Sequence, residues 1–117
     1  MLINNLNEEK ILLAKDDCEK LLLDMLNKNI SFFEGSHQII ELFEKNLYIS
    51  QFFLDSDFDN FKLLCSETDH LPRNVIQDKW NSEALKNLKI EFDQTEIWAE
   101  TFIPEQCKKM LDKLNAL

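Results

Sequence analysis

Three aspartates at alternate positions, Asp55, Asp57 and Asp59, resemble the opening of a calcium-binding loop, whose carboxylates hold the ion. The rest of that loop is missing. Its sixth position needs glycine for a sharp turn and holds Asn60, and its twelfth needs a bidentate glutamate and holds Ser66. The pattern therefore favours an acidic loop exposed to solvent or to a partner over a dedicated calcium site.

A thiol, a carboxylate and an imidazole occur within six positions, at Cys65, Asp69 and His70. A cysteine beside a histidine base can act as a nucleophile, so a small hydrolase is one hypothesis. Against it, the chain has one glycine and no glycine-rich oxyanion loop, and Cys65 follows the apolar pair Leu63 and Leu64. We therefore expect a buried structural cysteine and a chain that is not an enzyme.

The other candidate metal ligands do not form a site in the sequence. His37 has no cysteine or histidine at metal-ligand spacing, and no two cysteines form a C-x-x-C pair. Cys18, Cys65 and Cys107 lie in apolar or helical contexts, which indicates reduced, buried thiols of a cytoplasmic protein. We therefore expect neither a metal nor a cofactor.

The balance of charge points to the kind of partner. The chain has 22 acidic and 13 basic residues, a formal charge of -9. Such a surface repels nucleic-acid phosphates and anionic lipids and attracts cationic proteins, although the charge could also serve solubility alone. No apolar run approaches the roughly 20 residues of a membrane span, and the first residues do not resemble a signal peptide. We expect a cytoplasmic location, without membrane or direct nucleic-acid binding.

Helices must position these side chains, because the chain contains one glycine and two prolines. Apolar residues one turn apart predict a first helix from Asn7 to Asn29, capped at Asn7. The second helix begins at Ser31 or at Ser36, two starts that the sequence leaves open. Between 49 and 80 the periodicity breaks down.

The longest predicted helix starts at Asn81 or Ser82 and continues to Ile103. Pro104 either kinks this helix or opens a final one. These elements predict an all-α, single-domain bundle of about four to five helices over residues 1–117, with a long irregular loop before the long C-terminal helix. Predicted inward positions are Ile11, Ala14, Cys18, Leu21, Leu22, Met25, Ile39, Ile40, Phe43, Leu47, Cys107, Met110, Leu111 and Leu114.

Three strings resemble a family of small bacterial proteins: Ser-Glu-Thr-Asp-His-Leu-Pro at 66–72, Trp-Asn-Ser-Glu-Ala-Leu at 80–85 and Trp-Ala-Glu at 98–100. In that family a Ser-Glu-Thr-Asp-x-Leu-Pro turn leads through a tryptophan into a long C-terminal helix. The resemblance covers about half of the chain, 61–114. This chain has Arg-Asn at 73–74, where the family pattern has a glycine.

Small acidic helical proteins of this kind are similar to immunity proteins of bacterial toxin systems, including contact-dependent growth inhibition. The resemblance implies an immunity protein that neutralises a cognate, basic nuclease-type toxin by covering its active site or substrate groove. Because nucleases hold phosphate with lysine and arginine, an acidic surface can compete for that groove. The alternative is an acidic adaptor or regulatory protein that binds a non-toxin partner through the same surface.

Two sets of carboxylates are the expected partner-binding residues. One surrounds the irregular segment, and the other lies on the predicted long helix, where Glu96 and Glu100 are one turn apart. Acids at this spacing form an exposed face against which a basic partner can dock. The first acidic group is Asp55, Asp57, Asp59, Glu67 and Asp69, and the second acidic group is Glu91, Asp93, Glu96 and Glu100.

Overall fold

A computed structural model describes residues 2–73 and 81–116, and all regular structure in these ranges is helical, as predicted. Two short 3-10 turns, Leu47–Gln51 and Asp55–Phe58, separate the second and third α-helices. None of the helices in this part of the chain has both the length and the apolar character of a membrane span. The helices are α1 (Leu2–Leu26), α2 (Phe32–Lys45), α3 (Asp59–Glu67), α4 (Ser82–Ala99) and α5 (Ile103–Asn115).

Helix α1 starts earlier than its pattern indicates. It continues through Asn7, so the predicted N-cap there is wrong, and the Asn7 side chain instead accepts a hydrogen bond of 3.4 Å from the Tyr48 hydroxyl. The helix ends at Leu26, and Lys28 reverses the chain with a φ of 62°. With 25 residues, α1 is longer than α4, which has 18 and was predicted to be the longest.

Ser31 is the N-cap of α2, which decides between the two predicted starts. Its hydroxyl accepts a hydrogen bond of 3.0 Å from the backbone N–H of Glu34, and Ser36 lies buried inside the helix. Gly35 lies where α1 and α2 approach each other, because a Cβ at this position would come within 2.4 Å of Met25 Cγ. The single glycine therefore permits close helix packing and does not form a turn.

The segment without clear periodicity contains α3, whose Phe61 and Leu64 are buried. Residues 55–59 therefore form a 3-10 turn and the start of a helix, and the expectation of an acidic loop there is wrong. Asp57 stabilises this turn, since its carboxylate accepts a hydrogen bond of 2.8 Å from the backbone N–H of Leu54. Residues 74–80, which include Asn74 and Trp80 of the family resemblance and the last part of the predicted irregular loop, lie outside the described residues.

The core lies where α1 packs against α2 and α5, and where α2 packs against α3. The Phe43 and Phe58 rings stack at 4.1 Å between centroids, and Phe53 meets Phe58 edge-on at 5.7 Å. Leu47 lies exposed, contrary to its predicted inward position, because α2 has already ended. The predicted positions that are fully or nearly fully buried are Ala14, Cys18, Leu22, Met25, Ile39, Cys107, Met110 and Leu114.

Helix α4 is thinly covered by the rest of the described chain. The N-cap is Asn81, whose side chain accepts a hydrogen bond of 2.7 Å from the backbone N–H of Ala84. Its main contact with another helix is with α2, and its buried residues are Thr95 and Ala99. Pro104 lies in the first turn of α5 and so opens a final helix, one of its two predicted roles. Most of the surface of α4 is thus available to form one wall of a groove.

Candidate functional site

An open groove of about 490 Å³ lies between the C-terminal end of α3 and helix α4. Its first wall is the end of α3 and the turn that follows, and its second wall is one face of α4, because positions 91, 94, 95 and 98 fall one turn apart. Here the first and second acidic groups meet. The residues that line this α3–α4 groove are Glu67, Thr68, His70, Glu91, Gln94, Thr95 and Trp98.

A contact between His70 and Glu91 crosses the groove. The imidazole Nε2 lies 2.6 Å from a carboxylate oxygen of Glu91, and both side chains are about half exposed. An exposed pair of this kind contributes only about 0 to 1 kcal/mol, so a competing cation can open it. The carboxylate of Glu91 therefore already holds a nitrogen group, in a place that solvent and a partner can reach.

The turn that carries His70 is fixed from within. The Thr68 hydroxyl donates a hydrogen bond of 2.6 Å to the carbonyl of Leu64, at the end of α3, and the backbone N–H of Leu71 donates one of 3.0 Å to the carbonyl of Thr68. Thr68 and Leu71 are both buried. These contacts consequently hold in place the wall of the groove that bears Glu67 and His70.

Arg73 fastens the end of this turn onto α2. Its guanidinium donates hydrogen bonds to the buried carboxylate of Glu34 and to Glu41, with Nε 3.0 Å from each Glu34 oxygen. The hydrogen bonds to Glu34 raise the pKa of Arg73, since they favour the charged form. Sequence reasoning did not predict this cluster, although Arg73 is the only arginine among the 13 basic residues. A planar guanidinium suits a position that must bind two carboxylates.

Beside Arg73 lies a histidine that is held neutral. Burial, followed by the charge of Arg73, lowers the pKa of His37, whose ring packs edge-on against Phe33 at 4.9 Å. The His37 Nε2 and the Ser36 hydroxyl are buried and have no hydrogen-bond partner in the described part of the chain. This pair belongs to the interior of α2 and does not line the groove.

Two Glu-x-x-His pairs, Glu34 with His37 and Glu67 with His70, have the spacing that di-iron bundles use. The structure does not bring them together as ligands. Within residues 2–73 and 81–116, no group of three or more acidic, histidine or cysteine side chains is placed to hold a metal ion. One member of each pair already has another partner, because Arg73 binds the carboxylate of Glu34 and the imidazole of His70 contacts Glu91.

The first acidic group is mostly open to a partner. Asp57 is the exception, since Lys113 Nζ lies 2.6 Å from its carboxylate, which also stabilises the preceding turn. The four that are exposed and form no ion pair with a described residue are Asp55, Asp59, Glu67 and Asp69.

The second acidic group is mostly occupied by the chain itself. The Glu96 carboxylate accepts hydrogen bonds from the backbone N–H groups of Phe32 and Phe33, at 2.7 and 3.0 Å, and so caps the N-terminus of α2. This contact joins α4 to α2 and directs Glu96 toward the protein. The other three members also have partners: Glu91 with His70, Asp93 with Lys89 and Glu100 with Lys28.

Comparisons of the chain with protein-family models, curated proteins and solved structures find no match. The groove, its charges and its exposed side chains are therefore the observations that bear on function.

The cysteine hypothesis gains no support from the geometry. Cys65 is only half-buried, so the prediction of a buried thiol is wrong for this cysteine. Partial burial still raises the pKa of its thiol to about 11, so it is protonated at neutral pH and is not an activated nucleophile. The nearby His70 directs its Nε2 to Glu91. Burial likewise raises the pKa of Cys18 and of Cys107 to about 12, which fits their positions in the core.

Sequence reasoning also missed the aromatic part of the groove. Trp98 follows the apolar pattern of α4, yet its indole lines the groove and packs against Phe102 at 4.9 Å between ring centroids. Trp98 stands one turn from Gln94 and two turns from Glu91, which was the available signal that it shares their face. The groove thus combines carboxylates, a hydroxyl and an aromatic ring, a set that binds cations.

Proposed function

We propose that this chain is an immunity protein that binds and neutralises a basic, nuclease-type bacterial toxin by covering its active site or substrate groove. The observation that carries the proposal is a set of four exposed carboxylates without ion pairs to described residues, beside an open groove, in a chain of net charge -9. A nuclease grips phosphate with lysine and arginine, and such carboxylates compete for the same cations. The four are Asp55, Asp59, Glu67 and Asp69.

The proposed contact surface is narrower than the two acidic groups together. It consists of the α3–α4 groove and the four open carboxylates of the first acidic group. Between positions 55 and 69 the chain has five acidic residues and one basic residue, Lys62, whose Nζ lies 5.7 Å from the centre of the Phe43 ring. A local excess of negative charge therefore surrounds α3.

Apolar side chains beside this charge would supply much of the affinity. Charge chiefly raises the association rate, whereas buried aromatic and apolar anchors usually dominate binding energy. Trp98 lines the groove, and Ile97 and Ile90 are largely exposed on α4. We propose that a toxin covers part of this helix.

As an immunity protein, the chain would bind its partner without catalytic residues. It would act in the cytoplasm and bind neither nucleic acid nor membrane directly. The protonated thiol of Cys65 supports the absence of a catalytic cysteine from this proposal. Three cysteines without disulfide bonds suit a reducing compartment. The negative charge opposes contact with phosphates and anionic lipids.

The test is stopped-flow association with a candidate basic nuclease-type toxin domain, sought among the genes next to that of this chain, at ionic strengths from 10 to 150 mM. The screening length falls from about 30 to about 8 Å over this range, so the association rate should drop at least tenfold. One variant neutralises the first acidic group with Asp55→Asn, Asp59→Asn, Glu67→Gln and Asp69→Asn. The matched control removes the same charge from exposed positions of α1, with Glu8→Gln, Glu9→Gln, Asp16→Asn and Asp17→Asn.

We expect the first variant to associate about tenfold more slowly than the control at low salt, because local charge steers the encounter. Equal rates for the two variants would show that the contact surface lies elsewhere. Failure to form any complex with the toxin, at micromolar concentrations and low salt, would refute the immunity function.

A further inference from the structure

We propose that the α3–α4 groove receives an arginine side chain of the protein partner. The carboxylates of Glu67 and Glu91 would bind its guanidinium, and the indole of Trp98 would stack against it. This inference deepens the proposed function and rests on it for the identity of the partner. The chemistry of the groove, however, can be tested without a toxin.

The contact of His70 with Glu91 shows what the groove already accepts. A flat ring nitrogen lies 2.6 Å from the carboxylate, so Glu91 is oriented toward a planar nitrogen group inside the groove. The imidazole is 56% exposed and is held by this one carboxylate. A guanidinium, which offers two parallel N–H groups to a carboxylate, is a stronger ligand at the same position.

Thr95 provides an independent indication of a ligand. It lines the groove with 9% of its surface exposed, and its hydroxyl has no hydrogen-bond partner among the described residues. The Thr95 hydroxyl oxygen is not among the buried unpartnered atoms, so it opens to the groove, where it can bond to water or to a ligand. A guanidinium has five N–H donors, enough for two carboxylates and this hydroxyl together.

The aromatic wall favours arginine over lysine. The Trp98 side chain is 37% exposed, and its contact with Phe102 leaves part of the ring open to the groove. A planar guanidinium stacks on such a ring while it donates hydrogen bonds in its own plane, whereas an ammonium group cannot do both. The volume of about 490 Å³ falls within the range of ligand pockets and accommodates a long side chain.

Both walls are held before a partner arrives. The capping contact of Glu96 with α2 fixes α4, and the Arg73 contacts with Glu34 and Glu41 fix the turn after α3. Because the walls are built into the fold, an incoming side chain displaces only the exposed imidazole of His70. We therefore expect His70 to act as an internal competitor.

The experiment is an NMR titration of the full chain with N-acetyl-arginine amide, N-acetyl-lysine amide and the uncharged citrulline analogue. The reporter is the indole N–H of Trp98, assigned with Trp98→Phe. Arginine amide should give a saturable shift in the millimolar range, lysine amide should bind at least threefold more weakly, and citrulline amide should not saturate.

Four variants separate the groove from general charge. Glu91→Gln and Glu67→Gln should each weaken arginine binding about fivefold, and His70→Ala should strengthen it about two- to fivefold, the range expected for exposed charged contacts. Asp93→Asn is the matched control: it removes one charge from α4 outside the groove and should leave binding unchanged. The amide spectrum of each variant verifies its fold.

Equal binding of arginine and lysine amides, or an equal loss in Asp93→Asn and Glu91→Gln, would overturn the arginine assignment. The same variants are then measured against the toxin domain. Loss of arginine binding in Glu91→Gln together with a weaker toxin complex supports both proposals. Arginine binding without any toxin complex would overturn the proposed function and support the assignment of the groove as an arginine site. A toxin complex that the groove variants do not weaken would overturn the groove assignment and leave the proposed function standing.

Discussion

Replacing Glu96 with alanine removes the carboxylate that caps α2 from outside that helix. Two backbone N–H groups of the first turn, those of Phe32 and Phe33, would lose their acceptor. Each lost hydrogen bond lowers stability by about 1 kcal/mol, and loss of a negative charge near the helix dipole by about 0.5 kcal/mol. We therefore expect Glu96→Ala to lower the free energy of unfolding by about 2 to 3 kcal/mol.

Thermal and urea unfolding followed by circular dichroism measure this loss. For a chain of this length, about 4 °C in Tm corresponds to 1 kcal/mol, so Tm should fall by about 8 to 12 °C. Glu96→Gln keeps one acceptor oxygen and should lose about half as much. Glu100→Ala is the control, because Glu100 lies one turn further and forms an exposed pair with Lys28, for which a loss below about 0.5 kcal/mol is expected.

Equal losses of stability in Glu96→Ala and Glu100→Ala, or a loss below about 0.5 kcal/mol in Glu96→Ala, would show that the Glu96 carboxylate does not stabilise α2. The same variant also tests Glu96 as a partner-binding residue. Measured at a temperature where it is folded, Glu96→Ala should associate with the toxin at a rate within twofold of the unmodified chain, because its carboxylate faces α2. A tenfold slower rate would place Glu96 in the contact surface.

Three further predictions concern the interior. Gly35→Ala should lower the free energy of unfolding by about 1 to 2 kcal/mol in urea, since overpacking against Met25 outweighs the gain from removing a helical glycine; in the Met25→Ala background the loss should disappear. Because the pKa of His37 is lowered in the folded chain, the unfolded chain takes up a proton at His37 first as the pH falls. The free energy of unfolding should therefore decrease from pH 7.5 to 5.5. This decrease should be smaller in His37→Gln. The half-buried Cys65 thiol, with its pKa raised to about 11, should react with Ellman's reagent at pH 7.5 more slowly than an exposed thiol, because little of it is thiolate.

Each of these has a contradicting result. An equal loss for Gly35→Ala with and without Met25 would show that the two side chains do not compete for space. The same pH slope in His37→Gln and in the unmodified chain would place the titration elsewhere. A rapid reaction of one thiol per chain, absent in Cys65→Ser, would show an activated cysteine and reopen the hydrolase hypothesis.

Much of the fold was predictable because its helices are long and periodic. The inward spacing of Cys18 and Met25 in α1, and of Met110 and Leu114 in α5, indicates both helices and their buried faces. Helix α3 was not predicted, since nine residues give little more than two turns of pattern. The aspartates before it read as a loop, and the capping hydrogen bond of Asp57 is visible only in the structure.

The candidate site was predictable only in part. The sequence identifies Glu67 and Glu91 as exposed acids, but 24 positions separate them, and only the packing of α4 on α2 brings them to one groove. The partners of the second acidic group come mostly from distant segments. The pair of Lys89 and Asp93, four positions apart on one helix, is the exception that sequence spacing could have revealed.

The distribution of these internal partners bears on whether the acidity serves binding or solubility. The second acidic group is engaged by the chain's own side chains, whereas Asp55, Asp59, Glu67 and Asp69 have no described ion pair. Unpaired acids also occur on α1, where Glu8 and Asp16 are exposed, so an open carboxylate alone is compatible with solubility. What distinguishes the region of α3 is the groove beside it, with an exposed indole and an accessible hydroxyl, features that solubility does not require. If the acidic surface serves solubility alone, removing charge from α1 and from the region of α3 should change the rate of association with the toxin equally. If the surface binds a cationic partner, only the loss of charge around α3 should slow association.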